Sequence, residues 1–94
     1  MKIRVRYFTF LREKTGKTEE EYEFEREPTV EEVVRLIGKK YGKKVENYLF
    51  TKDGKPNKSL TFLINGKNVI YLDMFETKLS DGDVLYIVPL IEGG

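Results

Sequence analysis

The sequence predicts an α+β domain with one main helix packed across one mixed sheet. Two stretches near the N-terminus alternate apolar and charged residues, as half-buried strands do. One later run of apolar residues recurs at helical spacing. The final apolar stretch, 84–88, carries no charge, which marks a strand at the centre of a sheet. Ninety-four residues suit a single domain, 1–94, with a single core.

Ile3, Val5 and Tyr7 alternate with Lys2, Arg4 and Arg6, so the first element is a strand with one buried face. Residues 9–14 lose the alternation and stop at Gly16, as a short helical turn with a glycine stop does. Residues 19–25 alternate again, Tyr22 and Phe24 against glutamates, and make a second strand beside the first. Thr29 can cap a helix, and Glu32 stands three residues on, as in a capping box. Val30, Val33, Val34, Ile37 and Tyr41 follow at helical spacing, giving a helix over about 29–41 that Gly42 ends. Residues 43–59 read as a packed connection followed by an exposed turn.

Residues 60–64 are a strand, Asn65-Gly66 favours a hairpin turn, and 69–72 return as a short strand or irregular edge. Ser80-Asp81-Gly82-Asp83 is a tight turn into the last strand, expected to be buried on both faces. A parallel pairing of the first and last strands would close the core. That order is the β-grasp, or ubiquitin-like, arrangement.

Composition excludes several chemistries. With no cysteine and no histidine, the chain can build no thiol nucleophile, no His/Cys metal site and no Ser-His-Asp triad. No apolar run reaches the roughly 20 residues of a membrane span. Lys2, Arg4 and Arg6 interrupt what a secretory leader would need. The expectation is a soluble, cytoplasmic protein. Seventeen basic and 16 acidic residues nearly cancel, so global charge points to neither nucleic acid nor membrane. The charges do fall in blocks: Glu19, Glu20, Glu21, Glu23, Glu25 and Glu27, then Lys39, Lys40, Lys43 and Lys44. These read as solvated faces, or as a field that steers a partner protein.

The sequence closes on Ile91-Glu92-Gly93-Gly94, directly after the last strand. Glycine lacks a Cβ and passes where other residues clash. A flexible tail over 89–94 could thread an enzyme channel and present its α-carboxylate there. It could equally be a frayed end.

Phe8-Thr9-Phe10-Leu11-Arg12-Glu13 with Gly16, Thr29-Val30, Ile64-Asn65-Gly66-Lys67-Asn68, Leu79-Ser80-Asp81-Gly82-Asp83, and Val88-Pro89 with Gly93-Gly94 carry a family resemblance. Together they resemble the molybdopterin-synthase small subunit (MoaD), a family related to the thiamine sulfur carriers (ThiS). Leu90, where many members carry a second proline, and the long 43–59 segment depart from the pattern.

The resemblance implies that the C-terminal carboxylate, on Gly94, is the functional group and that Gly93 gives it access. An E1-like adenylating enzyme would activate that carboxylate with ATP, and a sulfur donor would then displace AMP to give a thiocarboxylate. The implied acceptor is a cyclic pterin held by the molybdopterin-synthase large subunit. The chain itself would bind no cofactor and no metal. Phe8, Val69 and Val88, with Leu90 and Ile91 on the tail, are the implied docking residues; Phe8, Val69 and Val88 also read as ordinary core or edge positions. Residues 90–94, fully extended, span on the order of 17 Å, enough to reach a recessed site. Thiamine synthesis, tRNA thiolation, conjugation to lysines of other proteins, and a non-catalytic β-grasp binding module remain open beside this reading.

Overall fold

The computed structural model describes residues 1–90. Five strands form one mixed sheet: β1 (Lys2–Tyr7), β2 (Glu19–Glu23), β3 (Leu60–Ile64), β4 (Lys67–Asn68) and β5 (Val84–Pro89). Three helices accompany them: α1 (Thr9–Thr15), α2 (Val30–Tyr41) and α3 (Lys43–Leu49). The sheet order is β2-β1-β5-β3-β4. β1 and β5 pair in parallel at its centre, and every other pairing is antiparallel. This is the expected β-grasp.

Local chemistry explains each junction. Thr29 accepts from the Glu32 amide at 3.1 Å, and the Glu32 carboxylate accepts from the Thr29 amide at 2.9 Å, completing the capping box. Val30, Val33, Val34 and Ile37 then face the sheet and are wholly buried. Asn65 and Gly66 take φ of 52° and 93°, both left-handed, which the two-residue hairpin turn between β3 and β4 requires. The 80–83 turn clamps the start of β1: the Lys2 amide donates to Asp81 Oδ1 at 2.6 Å, and the Gly82 amide to the Lys2 carbonyl at 2.8 Å. That clamp sets β5 parallel beside β1.

Three expectations change and one open alternative is settled. A third helix, α3, stands where a packed connection was expected. Gly42, at φ 98°, turns the chain, and Val45 and Leu49 bury one face over two turns. Two turns are too few for a period to declare itself. Of the two readings of 69–72, the irregular edge holds: Val69–Tyr71 is a 3₁₀ turn and not a return strand. β5 is central, yet only one of its faces is sealed: Leu85 and Ile87 are buried, while Val84, Tyr86 and Val88 are half-buried on the other. Every helix that packs on the sheet covers the same side. Finally, Glu20 is not a solvated member of the acidic block but is 8% exposed, on the inner face with Tyr22.

Candidate functional site

β5 runs out at Pro89, which still pairs with Leu60. Leu90 follows, 54% exposed, its amide donating to the Ser59 carbonyl at 2.8 Å. Of the expected tail 89–94, Pro89 therefore belongs to the sheet and Leu90 is tied to it. Ile91, Gly93 and Gly94 lie outside the described residues. The candidate site is thus the root of the C-terminal segment and the surfaces around it.

An apolar patch borders this root on the uncovered face of the sheet. The parallel register sets Tyr7 opposite Ile87, so Phe8 continues beside Val88. Phe8 stacks on Tyr86 with ring centroids 6.4 Å apart and planes 25° from parallel. Across β5, Thr61 stands opposite Val88 and Leu63 opposite Tyr86. All five side chains are half-buried. Charges border the patch on its β1–β2 side: Arg4 and Arg6 each approach Glu19, at 3.7 and 3.8 Å, and Lys2 approaches Glu21 at 3.9 Å.

Phe8, Val88 and Leu90 thus gather at one end of the sheet. Val69 does not join them: it is 4% exposed and belongs to the core, because the 3₁₀ turn after β4 folds it inward. It also walls an open groove of about 860 Å³ on the far side of β3, with Leu60, Ile70, Met74 and Leu90 among its lining. Residue-level reading missed Tyr86 and Leu63; their places between Leu85 and Ile87, and between Phe62 and Ile64, were the available signal. It also missed the groove, which only the tertiary fold assembles.

The opposite, inner side of the β1–β2 pair holds a closed polar cluster. Glu20 Oε1 accepts from the hydroxyls of Tyr7, Tyr22 and Tyr41, each at 2.8 Å. Its other oxygen accepts from Lys17 at 3.1 Å and from Lys40. Burial works against the charged carboxylate, but the hydrogen bonds from Lys40 and the three tyrosines outweigh it and hold Glu20 well below the usual range. Burial first, then the hydrogen bonds to Tyr22 and Glu20, pushes the Tyr7 phenol up; burial, with the bond to Glu20 and against the bond from Tyr7, pushes Tyr22 up. These groups bind one another, and a saturated set of this kind is structural. Among the described residues no cluster of His, Cys, Asp and Glu could hold a metal ion, and no helix is long and apolar enough to cross a membrane.

The polar cluster is thus internal to the fold, and the apolar patch lies beside the C-terminal root. The ThiS family profile matches residues 5–94. This chain belongs to the ThiS family. A protein of Archaeoglobus fulgidus described as a sulfur carrier is 35% identical over 66 residues, 70% of this chain and 74% of that one. Small archaeal modifier protein 3 of Haloferax volcanii is 30% identical over the full length of both chains. Among solved structures, small archaeal modifier protein 1 of Methanosarcina acetivorans superposes with a TM-score of 0.82 at 31% identity, over 99% of this chain and 96% of that one. A Pyrococcus furiosus protein described as molybdopterin converting factor subunit 1 superposes with a TM-score of 0.75 at 26% identity, over 96% and 98%. The class of this ThiS-family chain is therefore that of the sulfur carriers and ubiquitin-like modifiers.

Proposed function

We propose that this chain is a sulfur carrier whose reagent is its own C-terminal carboxylate, on Gly94. An E1-like enzyme binds the chain, and the carboxylate oxygen attacks the α-phosphorus of ATP, releasing pyrophosphate. The acyl adenylate has a good leaving group where the carboxylate had none. A sulfur donor on the partner side displaces AMP and leaves a thiocarboxylate, which delivers sulfur to a pterin precursor of the molybdenum or tungsten cofactor on the molybdopterin-synthase large subunit. Gly93 has no side chain to obstruct the channel. Phe8, Val88 and Leu90 supply the docking surface, with Ile91 beyond them. The observation that supports this most is that the family match runs through Gly93 and Gly94.

The test is AMP formation with the cognate adenylating enzyme, followed by the mass of the product. Deleting Gly94 withdraws the carboxylate by about 3.5 Å. Misplacement by about 1 Å can already cost a hundredfold, so activation should be lost. A residue added after Gly94 turns the reacting carboxylate into an amide and should abolish activation too. If both variants are activated and thiolated like the native chain, the mechanism is wrong.

A second reading shares the adenylation but ends in an isopeptide bond between Gly94 and lysines of other proteins. The full-length match to a small archaeal modifier favours it. Mass spectra from the native cell separate the two. One sulfur-for-oxygen exchange on the chain marks a carrier, and Gly-Gly branches on target lysines mark a modifier.

A further inference from the structure

The β3–β5 ladder ends in a half-made pair. Leu60 stands opposite Pro89, so the register places Ser59 opposite Leu90. At the other end of the ladder, the Asn65 amide donates to the Val84 carbonyl at 2.9 Å. There the Val84 amide donates to the Asn65 side-chain oxygen, at 3.0 Å. Ser59 lies an even number of residues from Asn65 and so stands at a hydrogen-bonding position, where Ser59 and Leu90 can exchange two main-chain bonds. Only one is made: the Leu90 amide reaches the Ser59 carbonyl at 2.8 Å. The Ser59 amide donates instead to Asn57 Oδ1, at 2.9 Å.

We propose that Asn57 is a positioning residue: by taking the Ser59 amide it stops the ladder at Leu90. Asn57 is well held for this. Its own amide donates to the Leu49 carbonyl at 3.0 Å, its Nδ2 to the Tyr48 carbonyl at 2.7 Å, and its carbonyl accepts from Leu60 at 3.1 Å. The preceding turn is pinned in its place. The Thr51 amide donates to the Lys55 carbonyl at 2.7 Å, and Arg35 donates to the Gly54 carbonyl at 2.9 Å while lying 4.4 Å over the Phe50 ring. The segment after α2, through α3 and the turn, thereby acquires a purpose: it carries Asn57 to the root of the tail. Each residue zipped onto β3 would shorten the tail's reach by about 3.3 Å and would have to be unzipped on docking. For the reaction, this inference rests on the tail being the reagent; the ladder stop itself does not.

The test compares the full-length chain with Asn57→Ala and Asn57→Asp. Aspartate keeps an acceptor for the amide two residues on, and alanine does not. In the native chain, the coupling across the hydrogen bond from Ser59 nitrogen should run to the Asn57 side-chain carbonyl and not to the Leu90 carbonyl. In Asn57→Ala it should move to Leu90, and the KM for the chain in the adenylation assay should rise about three- to tenfold at unchanged kcat. That is the weight of one net hydrogen bond broken on docking. Asn57→Asp should restore both readouts even where its melting temperature is lowered.

A native coupling to the Leu90 carbonyl overturns the proposal without any variant, so a failure of Asn57→Ala to fold does not shelter it. A KM equally raised in Asn57→Asp also overturns it, leaving Asn57 as a loop brace. If the native chain is never adenylated, the sulfur-carrier reading fails, while the couplings still decide the role of Asn57.

Discussion

Tyr7 and Ile87 stand opposite each other in the parallel pair β1–β5, and Phe8 and Val88 stand one residue further on. The first two are sealed inside, 1% and 0% exposed, and the Tyr7 hydroxyl ends in the Glu20 cluster. The second two are half-exposed on the bare face and lead to Leu90. Side chains on a strand alternate between faces, so one step along the chain exchanges the core for the surface. With the docking role proposed for Phe8 and Val88, stability and recognition would fall on alternate residues of the same two strands. Substitutions at one set should move folding without moving docking, and substitutions at the other set the reverse.

Ile87→Ala should have the largest effect on stability. The removed atoms leave a cavity behind a strand paired on both sides, and the expected loss is about 2–5 kcal/mol. Affinity for the adenylating partner, measured well below the lowered melting temperature, should stay within a factor of two of native. A large loss of affinity in a fully folded sample would mean that the inner face is not insulated from the outer one.

Glu20→Ala comes next, at about 2–4 kcal/mol, because the buried hydroxyls of Tyr7 and Tyr22 and the half-buried hydroxyl of Tyr41 lose their common acceptor. The same cluster sets an acid limit. The carboxylate titrates lower in the folded chain than in the unfolded one, where its value is about 4.3. Its contribution is therefore complete above that value and is lost as pH falls toward the folded one. Denaturant midpoints of the native chain should fall below about pH 5, and those of Glu20→Gln should fall less steeply. Parallel curves for the two would remove Glu20 from the account.

The same alternation decides how much was legible beforehand. Val30, Val33, Val34 and Ile37 declare a helix, Thr29 with Glu32 declares its start, and Asn65-Gly66 declares a hairpin. Each is a local rule that the tertiary structure obeys. The uncharged stretch 84–88 gives the central strand but overstates its burial, because a run without charge does not say whether a second layer covers it. Glu20 was readable in principle: it shares parity with buried Tyr22, and parity outranked charge once tyrosines and lysines could satisfy the carboxylate. Val69 was left open between docking and core because a 3₁₀ turn breaks the alternation after Asn68. Asn57 could not be read at all, since its meaning depends on Ser59 and Leu90 meeting across a register that only the fold supplies.

Phe8→Ala tests the outer set directly. Phe8 stacks on Tyr86 at the surface, so the free protein should lose less than about 1 kcal/mol. An interface that buries the ring should lose about 1–3 kcal/mol of affinity, read as a rise in Kd for the adenylating enzyme. A large fall in melting temperature with unaltered Kd would move Phe8 to the core set and erase the division between neighbours.

Glu19→Ala should have the smallest effect. Glu19 faces both Arg4 and Arg6, but at 3.7 and 3.8 Å and with all three side chains between 39% and 57% exposed. Exposed pairs gain little in water and cost side-chain freedom, so stability should change by no more than about 0.5 kcal/mol. Its position at the rim of the Phe8–Tyr86–Val88 patch gives it a different use. Removing it adds net positive charge beside an otherwise apolar contact, and rim charges act on the encounter rather than on the docked state. The association rate with the partner should therefore shift at low salt and return to native at high salt, where charges beyond about 10 Å are screened. The dissociation rate should hold constant throughout. A changed dissociation rate would place Glu19 inside the contact, and the docking surface would then extend from the apolar patch across β1 to β2.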